Sequence, residues 1–183
     1  VKRLPRIALR RGRRRDAPSL FALIEANRDA AHLLPRRVDE LEAHAARFLV
    51  AASGRRIVAC AELAPLSDEV AEIRSLVVEA DARRGGLGTA IVQALKRDAA
   101  VQGFHTLCAF THSPLAFTRW GFTVVPHLAV PEKIAADCMT CALFGRCGQF
   151  AMSYALATEA ASTRAARTIR IAAAPQEQTV ADR

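Results

Sequence analysis

The chain has 183 residues, 51% hydrophobic and 24% charged, with a net charge of +8. That length suits one domain with its own core, and that apolar content excludes disorder throughout. No apolar run approaches the roughly 20 residues needed to span a bilayer, and Val1-Lys2-Arg3-Leu4-Pro5 lacks the apolar stretch of a secretory signal. The expected compartment is therefore the cytoplasm, with no membrane partner. There the five cysteines, an odd count, are expected as thiols or metal ligands rather than disulfides. The arginine excess attracts anions such as cofactor phosphates, dicarboxylates or nucleic acid. Aromatic residues are few, however, and no basic stripe interleaves with them, so direct nucleic-acid binding is not expected.

Residues 7–10 read as a first strand. Arg10, Arg11, Arg13, Arg14 and Arg15 crowd the loop behind it, as an anion patch or as a solvated loop. Asp16 followed by Pro18 opens a helix in which Leu20, Leu23 and Ile24 recur at helical spacing. A second helix is expected over 38–46. Segments 48–52 and 56–63 read as strands joined at Ser53-Gly54, and 72–78 as a further strand. A glycine loop follows, then an amphipathic helix over 89–100 with Ile91, Val92 and Leu95 on one side. Residues 106–110 form a strand and 115–120 a short helix stopped by Gly121. Segments 122–126 and 149–156 pair as final strands around a cysteine-bearing excursion, 127–148. The tail from 158 reads as frayed or disordered. The expectation is a single mixed α/β domain over 1–157.

The loop carries the strongest signal. Arg83-Arg84-Gly85-Gly86-Leu87-Gly88 ends a strand and opens a helix. Glycines admit an anion close to the backbone, the helix start offers free N–H groups, and Arg83 and Arg84 add charge-assisted bonds. It is neither a nucleotide P-loop nor a G-x-G-x-x-G turn. Its pattern, Arg83-x-x-Gly86-x-Gly88, resembles the pyrophosphate loop of the GNAT acetyltransferases. The apolar Leu76-Val77-Val78 before it, the long helix after it, Phe117-Thr118-Arg119-Trp120-Gly121-Phe122 and the early helices extend that resemblance over 7–156.

The resemblance implies a central, mostly antiparallel sheet, splayed at strands 4 and 5 and flanked by helices. It implies an N-acetyltransferase using acetyl-CoA, held by Leu76, Val77, Val78, Arg83, Arg84, Gly85, Gly86, Leu87, Gly88 and Thr89, with the pantetheine arm lying along the fourth strand like an added strand. Glu72, 11 residues before Arg83, stands where several members carry a glutamate base; alternatively it orients Arg74 or the amine. The family's leaving-group tyrosine has no counterpart here. Phe117 and Trp120 occupy that neighbourhood and Tyr154 comes too late, so the acid is absent, a water, Ser113 or His112. Cys108, among apolar neighbours, reads as core.

Within the superfamily, Leu33-Leu34-Pro35-Arg36-Arg37-Val38-Asp39-Glu40-Leu41 and Ala71-Glu72-Ile73-Arg74-Ser75-Leu76 resemble segments of the short N-acetylglutamate synthases. That implies a small amino-acid acceptor, glutamate first, gripped by Arg36, Arg74, Ser75 and His112. Phe110-Thr111-His112 departs from that branch, which carries an arginine there. Another amino acid, a polyamine or a protein amine therefore stays open as acceptor, as does a CoA-binding module without turnover. A homodimer is compatible with the family. His127, Cys138, Cys141 and Cys147 fall within 21 residues. They read as a Cys3His zinc site or an iron–sulfur centre, or else as plain thiols with Glu132 and Asp137 as ordinary loop charges.

Overall fold

Two segments almost free of exposed side chains, β2 (Phe48–Ser53) and β3 (Arg56–Pro65), are the inner strands of one sheet. Burial on both faces requires cover on both faces, and helices supply it. The computed structural model describes residues 7–31, 33–54 and 56–157. The remaining strands are β1 (Ile7–Arg11), β4 (Val70–Val78), β5 (Thr106–Thr111), β6 (Thr123–Val125) and β7 (Phe150–Ala155), in the order β1-β2-β3-β4-β5-β7-β6. All neighbours run antiparallel except β4 and β5. The helices are α1 (Ala17–Ala26), α2 (Arg28–Ala31), α3 (Val38–His44), α4 (Leu87–Val101), α5 (Pro114–Arg119) and α6 (Pro131–Ala136). Each expected strand and helix is present within about two residues. The short α2 and α6, the latter inside the excursion, were not expected, and the expected tail from 158 lies outside the described residues.

Side-chain alternation sorts the core. On β2, Leu49 and Ala51 join one cluster, and Phe48 and Val50 another. The first cluster takes Ile91, Val92, Leu95 and Ala99 from α4, and the second takes Leu20, Leu23 and Ile24 from α1 with Leu41 from α3. α4 and the α1–α3 layer therefore cover opposite faces. Side chains such as Leu20, Ile24, Ile91 and Leu95, at most 1% exposed, contribute roughly 1.5–3 kcal/mol each. A third, smaller cluster of Val70, Cys108 and Val130 docks the excursion against β4 and β5.

The arginine-rich loop is mostly internal bonding. Arg10 donates to both oxygens of Asp16 at 2.6 and 3.0 Å. Arg11 pairs with Asp98 at 2.8 Å and Arg14 with Glu42 at 3.0 Å. Of the five arginines there, Arg10, Arg11 and Arg14 are thus held in ion pairs, while Arg13 and Arg15 are exposed.

Two irregularities in β4 prepare the site. Cys60 pairs with Val77 and Glu62 with Arg74, so Ser75 and Leu76 together oppose Ala61. This is a bulge. Ser75 takes φ +49°, a left-handed conformation that costs a non-glycine residue about 1–2 kcal/mol. Arg36 Nη1 donates to Ser75 Oγ at 3.0 Å and Cys60 Sγ to the Ser75 carbonyl at 3.6 Å, which hold the bulge in place. The second irregularity is the ladder to β5, which pairs only Val70–Glu72 with Thr106–Cys108. Beyond it the two strands part.

Candidate active site

The parting of β4 and β5 leaves the β5-side backbone edge of β4 open, and a cleft of about 580 Å3 occupies it. Leu76, Val77 and Val78 form its strand wall. Its floor is the glycine loop and the first turn of α4: Arg83, Arg84, Gly86, Leu87, Gly88 and Thr89. Gly85 is the one loop residue of the expected set outside the lining; a Cβ there would face the Ala82 carbonyl at 3.6 Å.

Local geometry makes the floor an anion seat. Gly86 is the N-cap of α4 at φ +76°, ψ 2° and carries no side chain to cap the helix. The first intrahelical bond recorded there is Ala90 N to Gly86 O, 2.9 Å. The N–H groups of Leu87, Gly88 and Thr89 precede it and have no acceptor within the helix. Fifteen aligned peptide units add their dipole at that end. Arg84, at φ +64°, is a second strained non-glycine residue in the loop. Arg83 bends back, donating from Nε to the Val78 carbonyl at 2.9 Å and from Nη2 to Asn27 Oδ1 at 3.1 Å.

The far wall is α5 and its flanks. Ser113, Ala116 and Trp120, at i, i+3 and i+7, present one face to the cleft, and Arg119 adds a cation. Trp120 is held at both ends: its Nε1 donates to Thr89 Oγ1 at 3.0 Å, and Lys96 Nζ donates to its carbonyl. Lys96 is 8% exposed and lies 3.4 Å from the Tyr154 ring centroid. Burial pulls its pKa below the ordinary lysine value. Tyr154 thus packs behind the wall, against Phe122.

On the opposite sheet face, at the last rung of the β4–β5 ladder, lies a ring of four charges. Glu72, 3% exposed, accepts on Oε2 from Arg74 Nε at 2.5 Å and from Lys133 Nζ at 2.9 Å. Asp137 Oδ2 accepts from Arg74 Nη2 and, at 2.8 Å, from Lys133 Nζ. Burial opposes the Arg74 charge, but Glu72 and Asp137 outweigh it and raise its pKa. The sequence pointed to Glu72 and Arg74. It gave Lys133 no role, and it treated Asp137 as an ordinary loop charge.

Arg36 stands beside this ring with little free surface. It is 8% exposed and pairs with Glu62 at 2.7 Å and Glu40 at 2.8 Å, besides its bond to Ser75. Its guanidinium lies 5.8 Å from the Phe48 ring centroid. Its Nε is buried without a partner among the described residues, as is His44 Nδ1, which lies 3.2 Å from Glu62 Oε1 out of hydrogen-bond alignment. His112 is exposed and outside the cleft lining. A Cβ at Gly148 would stand 3.5 Å from its Cε1.

The metal reading of the cysteine excursion finds no assembled site among the described residues. Among the described residues no group of three or more His, Cys, Asp or Glu side chains is placed to hold a metal. His127 turns its ring toward Phe110, with centroids 5.5 Å apart. Cys141 Sγ accepts from Leu143 N at 3.4 Å, and Cys147 Sγ faces Gln149 Oε1 at 3.8 Å. Burial raises the Cys138 thiol pKa, against the opposing pull of the Lys133 charge. The excursion is fixed by Val130 and Lys133 instead. Asn27, Arg119, Lys133 and Asp137 are the site residues that sequence reasoning missed. The α5 spacing was a usable signal for Arg119 and Trp120. Pro131-Glu132-Lys133 and Asp137-Cys138-x-x-Cys141 resemble segments of some short N-acetylglutamate synthases, but no role was read from them; nothing local marked Asn27.

Comparison with known proteins agrees with this geometry. Residues 7–122 match the model of the Acetyltransferase (GNAT) family. An uncharacterized N-acetyltransferase of Chlorobaculum tepidum is 27% identical over 144 residues, 79% of this chain and 93% of that protein. An amino-acid acetyltransferase of Ectopseudomonas mendocina is 30% identical over 105 residues, 57% of this chain and 24% of its own length. The N-acetylglutamate synthase of Neisseria gonorrhoeae, solved with coenzyme A and N-acetyl-glutamate, superposes with a TM-score of 0.74 at 22% identity. That likeness, of fold, covers 85% of this chain and 36% of that one. The family match spans well over half of the sequence and includes the β4 bulge, the glycine loop and α5: the chain belongs to the GNAT family of acetyltransferases and is an acetyl-CoA-dependent N-acetyltransferase.

Proposed function

We propose that this chain acetylates the α-amine of a small amino acid, with glutamate the leading candidate. The observation that carries this reading is the convergence of two cations, Arg74 and Lys133, beside the buried Glu72 at the point where β4 and β5 part. A carboxylate-bearing acceptor needs such donors, and Lys133 supplies one beside Arg74. The relatives named above as amino-acid acetyltransferase and N-acetylglutamate synthase support the same acceptor class.

Acetyl-CoA contributes the activated thioester. The residues fit its shape: the N–H groups of Leu87, Gly88 and Thr89, with Arg83, Arg84 and Arg119, suit the pyrophosphate, and Leu76, Val77 and Val78 offer a strand edge to the pantetheine arm. Both cations on Glu72 fall on Oε2. Oε1 is the atom we assign to receive the proton of the acceptor's ammonium, directly or through one water. As the amine attacks the thioester carbon and the C–S bond breaks, Ser113, on the cleft wall, is assigned to relay to the departing sulfur the proton that the attacking nitrogen loses. Arg36 serves this chemistry by holding Ser75 and the bulge; its remaining donor, Nε, faces inward.

The test is thiol release from acetyl-CoA against a panel of amino acids, polyamines and peptides. Release with an acidic amino acid is expected, with Glu72→Gln slower by about 10²–10⁴-fold. Release with polyamines or peptides alone would discard the amino-acid reading.

A further inference from the structure

Asp137 has partners that a loop aspartate rarely finds. It caps α6 at φ −132°, ψ −40°, outside the helix. Its Oδ2 sits between Arg74 Nη2 and Lys133 Nζ. The same two cations hold Glu72 from the inner side. The two acids differ in depth: the Glu72 side chain is 4% exposed and that of Asp137 34%. The inner acid is fixed in a strand paired on both sides. The outer acid hangs from the excursion.

The excursion has anchors besides Asp137. Lys133 already reaches Glu72, and Val130 already packs against Val70 and Cys108. Asp137 adds a second negative charge to a site that, without it, holds two cations and one acid. The seat it fills is an arginine edge beside an ammonium, which is the donor set a ligand carboxylate takes.

We propose that Asp137 is an internal stand-in for the acceptor's carboxylate, seated between Arg74 and Lys133 until the acceptor displaces it; this rests on the amino-acid reading above. Lys133 is then a specificity-determining residue, and Asp137 a built-in competitor. An acceptor with a carboxylate replaces Asp137 charge for charge. An amine without one leaves the ring closed and gains nothing from it. The competitor lowers apparent affinity by the fraction of time the seat is filled, which gives the enzyme a higher KM without altering the chemical step.

The experiment titrates glutarate, a dicarboxylate with no amine, into the whole chain by calorimetry, alongside coenzyme A. Asp137→Asn should bind glutarate about 5–10-fold tighter than the unmodified protein, and Lys133→Met combined with it should abolish the gain. Coenzyme A affinity should stay within about twofold, because neither residue lines the cofactor cleft. With an acidic amino acid as acceptor, Asp137→Asn should lower KM by the same factor, and with an amine that carries no carboxylate it should leave KM unmoved. Equal glutarate affinity in the unmodified protein and Asp137→Asn overturns the proposal. Should Asp137→Asn fail to fold, Asp137→Ser carries the comparison, and failure of both makes Asp137 a structural pin and overturns it too. Tighter glutarate binding with no acetyl transfer to any amino acid would keep the seat and remove the amino-acid reading instead.

Discussion

Gly86 and Gly88 lie two residues apart in one loop, yet alanine at each should move stability in opposite directions. Gly86 sits at φ +76°, and a Cβ there would meet nothing within 4 Å. Its cost is therefore purely conformational. Left-handed alanine costs about 1–2 kcal/mol, and the stiffer unfolded chain returns about 0.4–1 kcal/mol. The net loss is roughly 1 kcal/mol. Gly88 lies within the first turn of α4, where its Cβ would stand 3.6 Å from Trp120 Cζ2 and 3.8 Å from Val78 Cγ2, ordinary contact distances. Alanine there gains about 0.5–1 kcal/mol of helix propensity. The two variants should differ by roughly 2 kcal/mol, which at about 2–4 °C per kcal/mol for a chain of this size separates their melting temperatures by about 4–8 °C. Coenzyme A affinity should fall in both. In Gly86→Ala the N-cap shifts. In Gly88→Ala a methyl group enters the cleft between Trp120 and Val78, and we expect a loss of about tenfold or more. Urea denaturation and calorimetric titration with coenzyme A read the two quantities separately. A Gly88→Ala variant that melts lower than the unmodified protein, or binds coenzyme A equally well, would refute the account of the loop.

Three further outcomes are expected. The two-pronged bond from Arg10 holds the Asp16 carboxyl below its ordinary value of 3.8. Its stabilisation is complete above that value and is lost as pH falls through the lower native one, so the gap between the unmodified protein and Asp16→Asn in urea midpoint should close only in that acid window. Lys96 behaves in the reverse sense: burial sets its native pKa below 10.5, so between the two values the unfolded chain binds more protons and stability should rise with pH, a rise absent in Lys96→Met. Burial pushes the Cys60 thiol up to about 12 and Cys108 also upward, so a native thiol titration should count Cys138, Cys141 and Cys147, and denaturant should release the other two; prompt reaction of Cys60 would contradict the core described here.

The strands and helices were legible because their signals are local. Unbroken apolar runs marked β2 and β3, helical spacing marked α1 and α4, and Arg83-x-x-Gly86-x-Gly88 marked the cofactor floor, since the loop and the helix it opens are contiguous in the chain. The order of the last strands was not legible. β7 lies between β5 and β6, and no feature of 123–155 states which edge the final strand joins. The cysteine spacing left a metal site and plain thiols both open, and among the described residues the four side chains are not brought to one point, because spacing alone does not aim them.

By itself, then, the sequence determined the elements, the glycine loop with its helix dipole, and the acyltransferase family they belong to. These depend on residues within a turn or two of one another, whose geometry the backbone fixes. The tertiary structure decided how the charges are used. Arg36 meets Glu62 across 26 residues, and Lys133 meets Glu72 across 61. A buried charge takes as its partner whichever opposite charge the packing delivers to it, and that delivery is set by which strands pair and where the excursion docks.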